Sequence, residues 1–371
     1  MHLETLKLLN FKNYTEANLL FSEKINCFTG KNASGKTNLL DAIYMLSFTK
    51  SYFNTLDKQI INAHSDEPFY FLSAHYRIDN DQETISLRYH REKGKRLTRN
   101  DKEVKRFSKH IGEFPVVMMS PGDIFLVTGG SDLRRRFLDI TISQFDADYM
   151  HHLTQYNNAL KQRNHILKNA WNQPAIIVDE LLAVWNEKLI QYGQYIYEQR
   201  HETTKTLCRL FNTFYRFIAN DNDQVEVTYE SQLSQSSFAE LLAQSIDNDR
   251  RTQYTTTGIH KDDLVFKIND MPLKKVASQG QQKTLLIALK LAEYEIIKQH
   301  KNRLPLLLLD DVFDKLDAHR VARLIEQVAT NEYGQIFITD THQDRMQKVL
   351  DEINVPGKLF SVEKGKIQTV T

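Results

Sequence analysis

The spacing of apolar positions changes several times along the chain, and each change marks a predicted element. Leu3, Leu6, Leu8 and Phe11 alternate roughly with polar neighbours, Lys12-Asn13-Tyr14 turns, and Leu19 to Phe28 returns as a second strand. Ile25 and Cys27-Phe28 end that run, and Leu39, Leu40, Ile43, Met45 and Leu46 then recur at helical spacing. Ser47 to Asn62 is polar and irregular. Alternation comes back in Phe69-Phe71 and Ile85-Leu87-Tyr89, so residues 69–107 read as β-rich, with a turn over Arg99 to Lys102. An apolar strand after Phe114 runs into Ser120-Pro121-Gly122-Asp123. A second apolar patch ends at Gly129-Gly130, and Ser131 or Asp132 caps a helix.

The middle third has another period. Tyr149, Leu153, Tyr156, Leu160 and Leu167 lie at coiled-coil spacing, and Trp171-Asn172-Gln173-Pro174 breaks the pattern. Leu182, Trp185, Leu189, Tyr192 and Ile196 resume it in steps of three and four, and Thr203, Leu207, Leu210, Phe214 and Phe217 continue the stripe. This predicts an antiparallel helical arm with an apolar seam, its aromatics serving packing rather than base stacking. Residues 219–249 are acidic and polar and mark the way back. Ala277 to Thr284 opens a helix that runs to about Lys298. Leu306 to Leu309 and Gly334 to Thr339 are two further strands, the first of buried parallel type.

Chemistry enters between the first apolar run and its helix. Gly30-Lys31-Asn32-Ala33-Ser34-Gly35-Lys36-Thr37, followed by Asn38, fits G-x-x-x-x-G-K-[ST] in the strand–loop–helix context that makes this pattern a phosphate cradle. Glycines let successive N–H groups turn inward, and the helix N-terminus adds positive partial charge. Lys36 is placed to reach the β- and γ-phosphates and Thr37 to take a position on Mg²⁺. Asp310 and Asp311 end the Leu306 strand: Asp310 is the expected Mg²⁺ ligand, Asp311 the group that polarises the attacking water. Asp314-Lys315-Leu316-Asp317 follows at once. Asp340, Thr341 and His342 sit at the end of the next strand, where ligands of open parallel sheets bind; His342 reads as a γ-phosphate sensor or as a plain surface histidine. Ser278, Gly280 and Gln281 open a helix and form a second anion site. Two phosphate sites so far apart in sequence suggest that they meet across a dimer.

Bulk composition narrows the class. Apolar content of 41% and charged content of 26% are those of a soluble globular protein. Cys27 and Cys208 alone exclude a disulfide framework and suggest no zinc cluster. No run is long enough to span a bilayer, and the N-terminus has no signal-peptide core, so a cytoplasmic protein with no membrane partner is expected. A net charge of +1 means that any nucleic-acid surface comes from local segregation. From Arg88 to Lys109 there are ten Lys or Arg against Glu92, Asp101 and Glu103. That stretch follows phosphates or is the solvated face of an edge hairpin. Arg134, Arg135 and Arg136 oppose the helix dipole in a first turn, which hints at a partner or at a salt bridge. Lys12, Asn13 and Tyr14 are candidates for an adenine contact or simply a turn.

The order of these motifs resembles the head of the ABC/SMC ATPases: a Walker A loop, S-Q-G-Q-Q from Ser278, L-L-L-L-D-D and D-x-L-D. The opening LKLLNFKNY, the run INCFTGKNASGKTNLLDAIYMLS, SPGDIFLV, RRRFLD, GIHKDDL and ASQGQQKT together resemble the RecF recombination-mediator family over nearly the whole chain. There are departures: Gly122 stands for an acidic residue, Lys261 for an arginine, and Ser51-Tyr52-Phe53 for S-H-R. The resemblance implies an α/β P-loop ABC/SMC-type ATPase head with an inserted antiparallel, coiled-coil-like helical arm. Its parts are a first lobe with Walker A over 1–130, the arm over 131–250, and a C-terminal ATPase part over 251–371. It further implies a weak, DNA-stimulated ATPase that uses ATP and Mg²⁺ as a switch. An ATP-dependent homodimer, with Ser278 of one copy on the γ-phosphate held by the other, would bind double-stranded DNA at gaps, junctions or stalled forks. RecR- and RecO-type mediators would be partners and RecA an indirect one, with the protein near the nucleoid. The alternatives are a transport-type ABC ATPase subunit, which should fractionate with membrane, and an ATP-gated nuclease subunit, for which His260, Asp262 and Asp263 are the loose candidates.

Overall fold

The computed structural model describes residues 1–54, 56–170, 174–219, 223–313, 324, 327–328, 333–352 and 355–370. The D-x-L-D stretch and Trp171 to Gln173 lie outside them. The chain divides into two compact units, one of Met1–Asp123, Phe217–Ala219 and Glu293–Thr371, the other of Ile124–Arg216 and Asn220–Ala292. The signature stretch around Ser278 therefore falls in the second unit, not with the C-terminal strands.

The first unit holds two six-stranded sheets. One has the order Lys366–Thr369, Gly357–Glu363, Ile25–Thr29, Ile336–Asp340, Leu306–Asp310, Val116–Met119; all neighbours are parallel except the terminal hairpin. Its three central strands are buried at every position, which is why they read as unbroken apolar runs. Phe21 meets Phe28, Phe337 and Phe360 edge-on and covers one face. The registers Thr29↔Asp340 and Thr339↔Asp310 bring the C-terminal ends of the central strands level. That alignment places the glycine loop and the two acidic strand ends side by side.

The other sheet is antiparallel, in the order Tyr14–Leu20, His2–Phe11, Phe69–Ile78, Asp81–His90, Gly94–Arg99, Lys102–Glu103. Alternate side chains of Phe69–Ile78, from Tyr70 to Ile78, are buried, as a one-faced sheet requires. The strand predicted over Leu19 to Phe28 is in fact two half-strands in different sheets. The side-chain amide of Asn26 takes the place of a ladder partner: it accepts from Ser22 N at 2.8 Å and donates to Ser22 O at 2.9 Å, and so holds a bend between them.

The second unit carries the helices Ser131–Ser143, Ala147–Asn169 and Phe238–Thr252, most of Ala175–Ala219, and a three-stranded sheet of Met271–Pro272, Asp263–Ile268 and Val225–Glu230. Ala175–Ala219 is one helix of 45 residues, about 67 Å at 1.5 Å per residue. Leu182, Leu189, Ile196 and Leu207 form its buried seam. The polar return path expected over 219–249 is structured instead. It contains a strand and a helix whose capping box pairs Ser237 with Glu240. Arg163 and Arg200 are all but completely buried in this unit, and their charges are matched. Arg163 donates to Asp249, Thr255 and Asn186, and Arg200 to Asp139, Asp262 and Ile259 O.

Candidate functional site

The loop from Gly30 to Thr37 joins the buried strand Ile25–Thr29 to the helix Lys36–Phe48. Gly30 has φ +153° and Gly35 φ +119°, conformations that other residues rarely adopt. A Cβ on Gly30 would collide with Val362 O, and one on Gly35 would stand 2.5 Å from Asn13 Nδ2 and 2.7 Å from the Tyr14 hydroxyl. Lys36 Nζ donates to Gly30 O at 2.8 Å and Lys31 O at 3.1 Å, folding back over the loop. Burial pushes its pKa down, against the pull of Asp311, Asp310 and Asp340. Ser34 Oγ is buried with no hydrogen-bond partner. Lys31, Asn32 and Ala33 are exposed at the tip, and Asn38 Nδ2 donates to Asn13 Oδ1 at 2.7 Å.

Lys12, Asn13 and Tyr14 pack under this loop. Asn13 Nδ2 donates to Ser34 O at 3.0 Å and the Tyr14 hydroxyl to Gly35 O at 3.0 Å. Lys12 Nζ pairs with buried Asp41 at 2.6 Å. Asp41 also accepts from Ser51 Oγ and Tyr52 N, both at 2.7 Å, and the Tyr52 hydroxyl donates to Asp123. The divergent Ser51-Tyr52-Phe53 triplet thus ties back to the middle of the loop helix through Asp41. Sequence reasoning found the Lys12-Asn13-Tyr14 turn but not that it supports the glycine loop, because the carbonyls it holds lie 21 residues further on.

The Thr37 hydroxyl lies 2.9 and 3.0 Å from the two oxygens of Asp310. Thr339 Oγ1 donates to Asp310 Oδ1 at 2.8 Å and accepts from Asp311 N at 2.9 Å, a bridge that the sequence did not announce. Burial raises the Asp310 pKa, its hydrogen bonds from Thr339 and Thr37 oppose this, and Asp311 adds to it. Asp311 has φ +49°, a left-handed conformation for a non-glycine residue directly after the strand. Fully buried Asp340 accepts from His342 N and Arg345 Nη2, both at 2.7 Å, while its other oxygen has no partner. The His342 side chain is exposed at the start of helix Gln343–Glu352. The loop, Thr37, Asp310, Asp311 and His342 therefore all belong to the same ends of one sheet.

Ser278 lies in the other unit, exposed at the N-terminus of Gln279–His300. Its hydroxyl accepts from Gln281 N at 3.2 Å, and Gln281 Oε1 accepts from Ser278 N at 2.8 Å, a capping box. Gln281 Nε2 donates to Asp223 at 2.6 Å, and Gly280 O accepts from Thr284 at 3.0 Å. The cap leaves the Ser278 hydroxyl exposed on one side.

The other candidates separate by burial. Arg134 is buried in a two-pronged contact with Asp263 at 2.6 and 2.8 Å, so it is not a surface group; Arg135 donates to Asp262 O, and Arg136 is exposed. In the basic hairpin, Arg99 is held by Glu83 and Glu113, Lys95 by Asp57, and Arg96 by Glu103. Arg91, Lys93, Lys105, Arg106 and Lys109 remain exposed. In the GIHKDD stretch, His260 bonds to Tyr156 and Thr255 O, Asp262 to Arg200 and Tyr229, and Asp263 to Arg134. Burial lowers the His260 pKa to about 4. These three side chains brace a turn, and among the described residues no group of three His, Cys, Asp or Glu stands together as a metal site. Among them, too, no helix is long and apolar enough to cross a membrane.

The family model described as RecF/RecN/SMC N terminal domain matches residues 2–368. The DNA replication and repair protein RecF of Bacteroides thetaiotaomicron is 43% identical over 99% of this chain and 98% of its own length; that of Parabacteroides distasonis is 45% identical over 99% of each. A solved structure of the recombination mediator protein RecF with ATP, in the RecFOR pathway, superimposes with a TM-score of 0.87 at 28% identity, covering 100% of this chain and 98% of that one. The Smc head domain of Pyrococcus furiosus shares the fold, with a TM-score of 0.58 at 17% identity over 100% of this chain and 96% of its own. By the family match and by 43% identity across full length, this chain belongs to the RecF family and has the ABC/SMC-type ATPase-head fold with its inserted helical arm.

Proposed function

We propose that this chain is an ATP-controlled DNA-binding switch of recombinational repair and replication-gap rescue. The observation that carries the reading is the Thr37–Asp310 contact at 2.9 Å beside Lys36 and the glycine loop, the two halves of a phosphate–metal site brought together from opposite ends of the chain. The N–H groups of Gly35, Lys36 and Thr37 would cradle the phosphates with Asn38 beside them, and Lys36 would move from loop carbonyls to the β- and γ-phosphates. Hard oxygen donors in a two-residue set suit Mg²⁺, which completes its shell with phosphate oxygens and water. Thr37 and Asp310 would hold it, and it would neutralise charge on the transferred phosphoryl group. Asp311 would accept the proton of the attacking water, and His342 would contact the γ-phosphate.

The exposed Ser278 hydroxyl and the helix behind it would bind the γ-phosphate held by a second copy, so that ATP closes a homodimer and slow hydrolysis opens it. Closure would align the exposed basic residues of the Arg88–Lys109 stretch from both copies on double-stranded DNA. RecO- and RecR-type mediators and, through them, a RecA-type recombinase are the partners that the relatives' pathway suggests. A cytoplasmic, nucleoid-associated location goes with that reading. Sedimentation with ATP and with ADP tests it. The wild type should dimerise with ATP alone, and Ser278→Arg should stay monomeric while still binding ATP. A Ser278→Arg protein that dimerises like the wild type would remove this serine from the interface.

A further inference from the structure

We propose that Tyr14 and Asn13 are positioning residues for nucleotide phosphates, which set the direction of the N–H groups of Gly35 and Lys36 by holding the carbonyls of Ser34 and Gly35. The inference rests on the nucleotide reading above and says what shapes that site. A trans peptide unit is planar, and its C=O and N–H point in opposite directions. A loop that aims consecutive N–H groups at an anion must therefore aim the matching carbonyls away, and each buried carbonyl then needs a donor.

For each of these two carbonyls the N-terminal turn supplies a side-chain donor. Ser34 O shares its peptide unit with Gly35 N, and it accepts from Asn13 Nδ2 at 3.0 Å and from Gly365 N at 3.1 Å. Gly35 O shares its unit with Lys36 N, and it accepts from the Tyr14 hydroxyl at 3.0 Å, beside the helical amides of Asn38 and Leu39. Asn13 is itself oriented by Asn38 Nδ2 at 2.7 Å on the first turn of the loop helix. Tyr14 is fully buried, and burial raises its pKa, so its hydroxyl remains a proton donor. The second loop glycine is explained by the same contacts. A Cβ at Gly35 would stand 2.5 Å from Asn13 Nδ2 and 2.7 Å from the Tyr14 hydroxyl, so a side chain there would push both donors off. From the other side, the Gly365 turn approaches so closely that a Cβ on Gly365 would collide with Asn13 O.

The test titrates the full-length protein with mant-ATP and mant-ADP in the presence of Mg²⁺ and follows steady-state ATP hydrolysis. Tyr14→Phe keeps the ring and deletes one donor; Asn13→Ala deletes the other. Each should raise the Kd for both nucleotides, and KM for ATP, about three- to tenfold, the loss of one hydrogen bond's effect. The kcat should stay near wild type and the nucleotide-free melting temperature should fall by no more than a few degrees, whereas a merely structural role would lower it with Kd and KM unchanged. A lowered melting temperature with unchanged Kd overturns the proposal. If Tyr14→Phe fails to fold, Asn13→Ala decides, and a folded Asn13→Ala with wild-type Kd overturns it as well. A wild type that shows no saturable mant-ATP binding is a different failure: it removes the nucleotide reading, and this inference with it.

Discussion

Replacing Arg134 with methionine should unfold the second unit more easily and leave DNA contacts intact, the reverse of what a basic cluster in sequence suggests. The Arg134 side chain is 8% exposed. It donates to both oxygens of Asp263, at 2.6 and 2.8 Å, and to Gly129 O at 3.0 Å. Methionine fills a similar volume but leaves the Asp263 carboxylate without its counter-charge. Removing one member of a fully buried pair costs roughly 3–5 kcal/mol. Asp263 is 26% exposed, so water partly replaces the lost donors and the low end applies, about 3 kcal/mol. At roughly 2–4 °C per kcal/mol this lowers the melting temperature by about 6–12 °C. Arg136→Met, at an exposed site on the same helix, should change stability by no more than about 0.5 kcal/mol. Thermal melts of the two variants test the contrast. DNA anisotropy over a salt series, well below the lower melting point, tests the rest. Arg134→Met should keep the wild-type slope of log affinity against log salt. If Arg134→Met melts like the wild type and loses part of that slope, the burial argument is wrong and Arg134 touches phosphate.

Two further predictions concern buried ionisable groups. Arg163→Met strands Asp249, which is completely buried, and should cost about 3–5 kcal/mol in urea unfolding; Arg163→Met with Asp249→Leu should recover most of it, and failure to recover would mean that the surrounding hydrogen bonds, not the charge, dominate. His260 titrates near 4 when folded and about 6.5 when unfolded, so the unfolded chain binds the proton first. Its neutral form therefore stabilises the fold above about pH 6.5, and that contribution, about 3 kcal/mol, is lost as pH falls from 6.5 towards 4. The wild-type-minus-His260→Asn difference in unfolding free energy should shrink over that window, and a difference independent of pH would contradict the assignment.

Much of the site was legible because its signals are local. Gly30 to Thr37 sit between a strand and a helix, and Asp310 ends an apolar run, so spacing alone singled them out as candidates, and Thr37 and Asp310 do meet. The fold class followed from the family resemblance that the order of those motifs carries. What was hidden depends on distant contacts. Asn26 bends the chain through its side chain, which alternation of apolar residues does not register. Thr339 links Asp310 to Asp311 from a neighbouring strand. Arg163 and Arg200 carry charge, so in sequence they belong to a solvated face, yet both are nearly fully buried because acids from other elements meet them. Arg134 is a related case: its salt bridge was one of the two readings its position allowed, but the pair with Asp263 is buried rather than solvated.

The central claim is that nucleotide controls DNA binding. The most direct measurement is anisotropy of a labelled gapped duplex with wild-type protein, in ATP and in ADP, at two salt concentrations. The account predicts tight binding with ATP, weak binding with ADP, and an ATP-state affinity that falls steeply with salt. Equal binding in the two nucleotides, with mant-ATP shown to be bound, would contradict it.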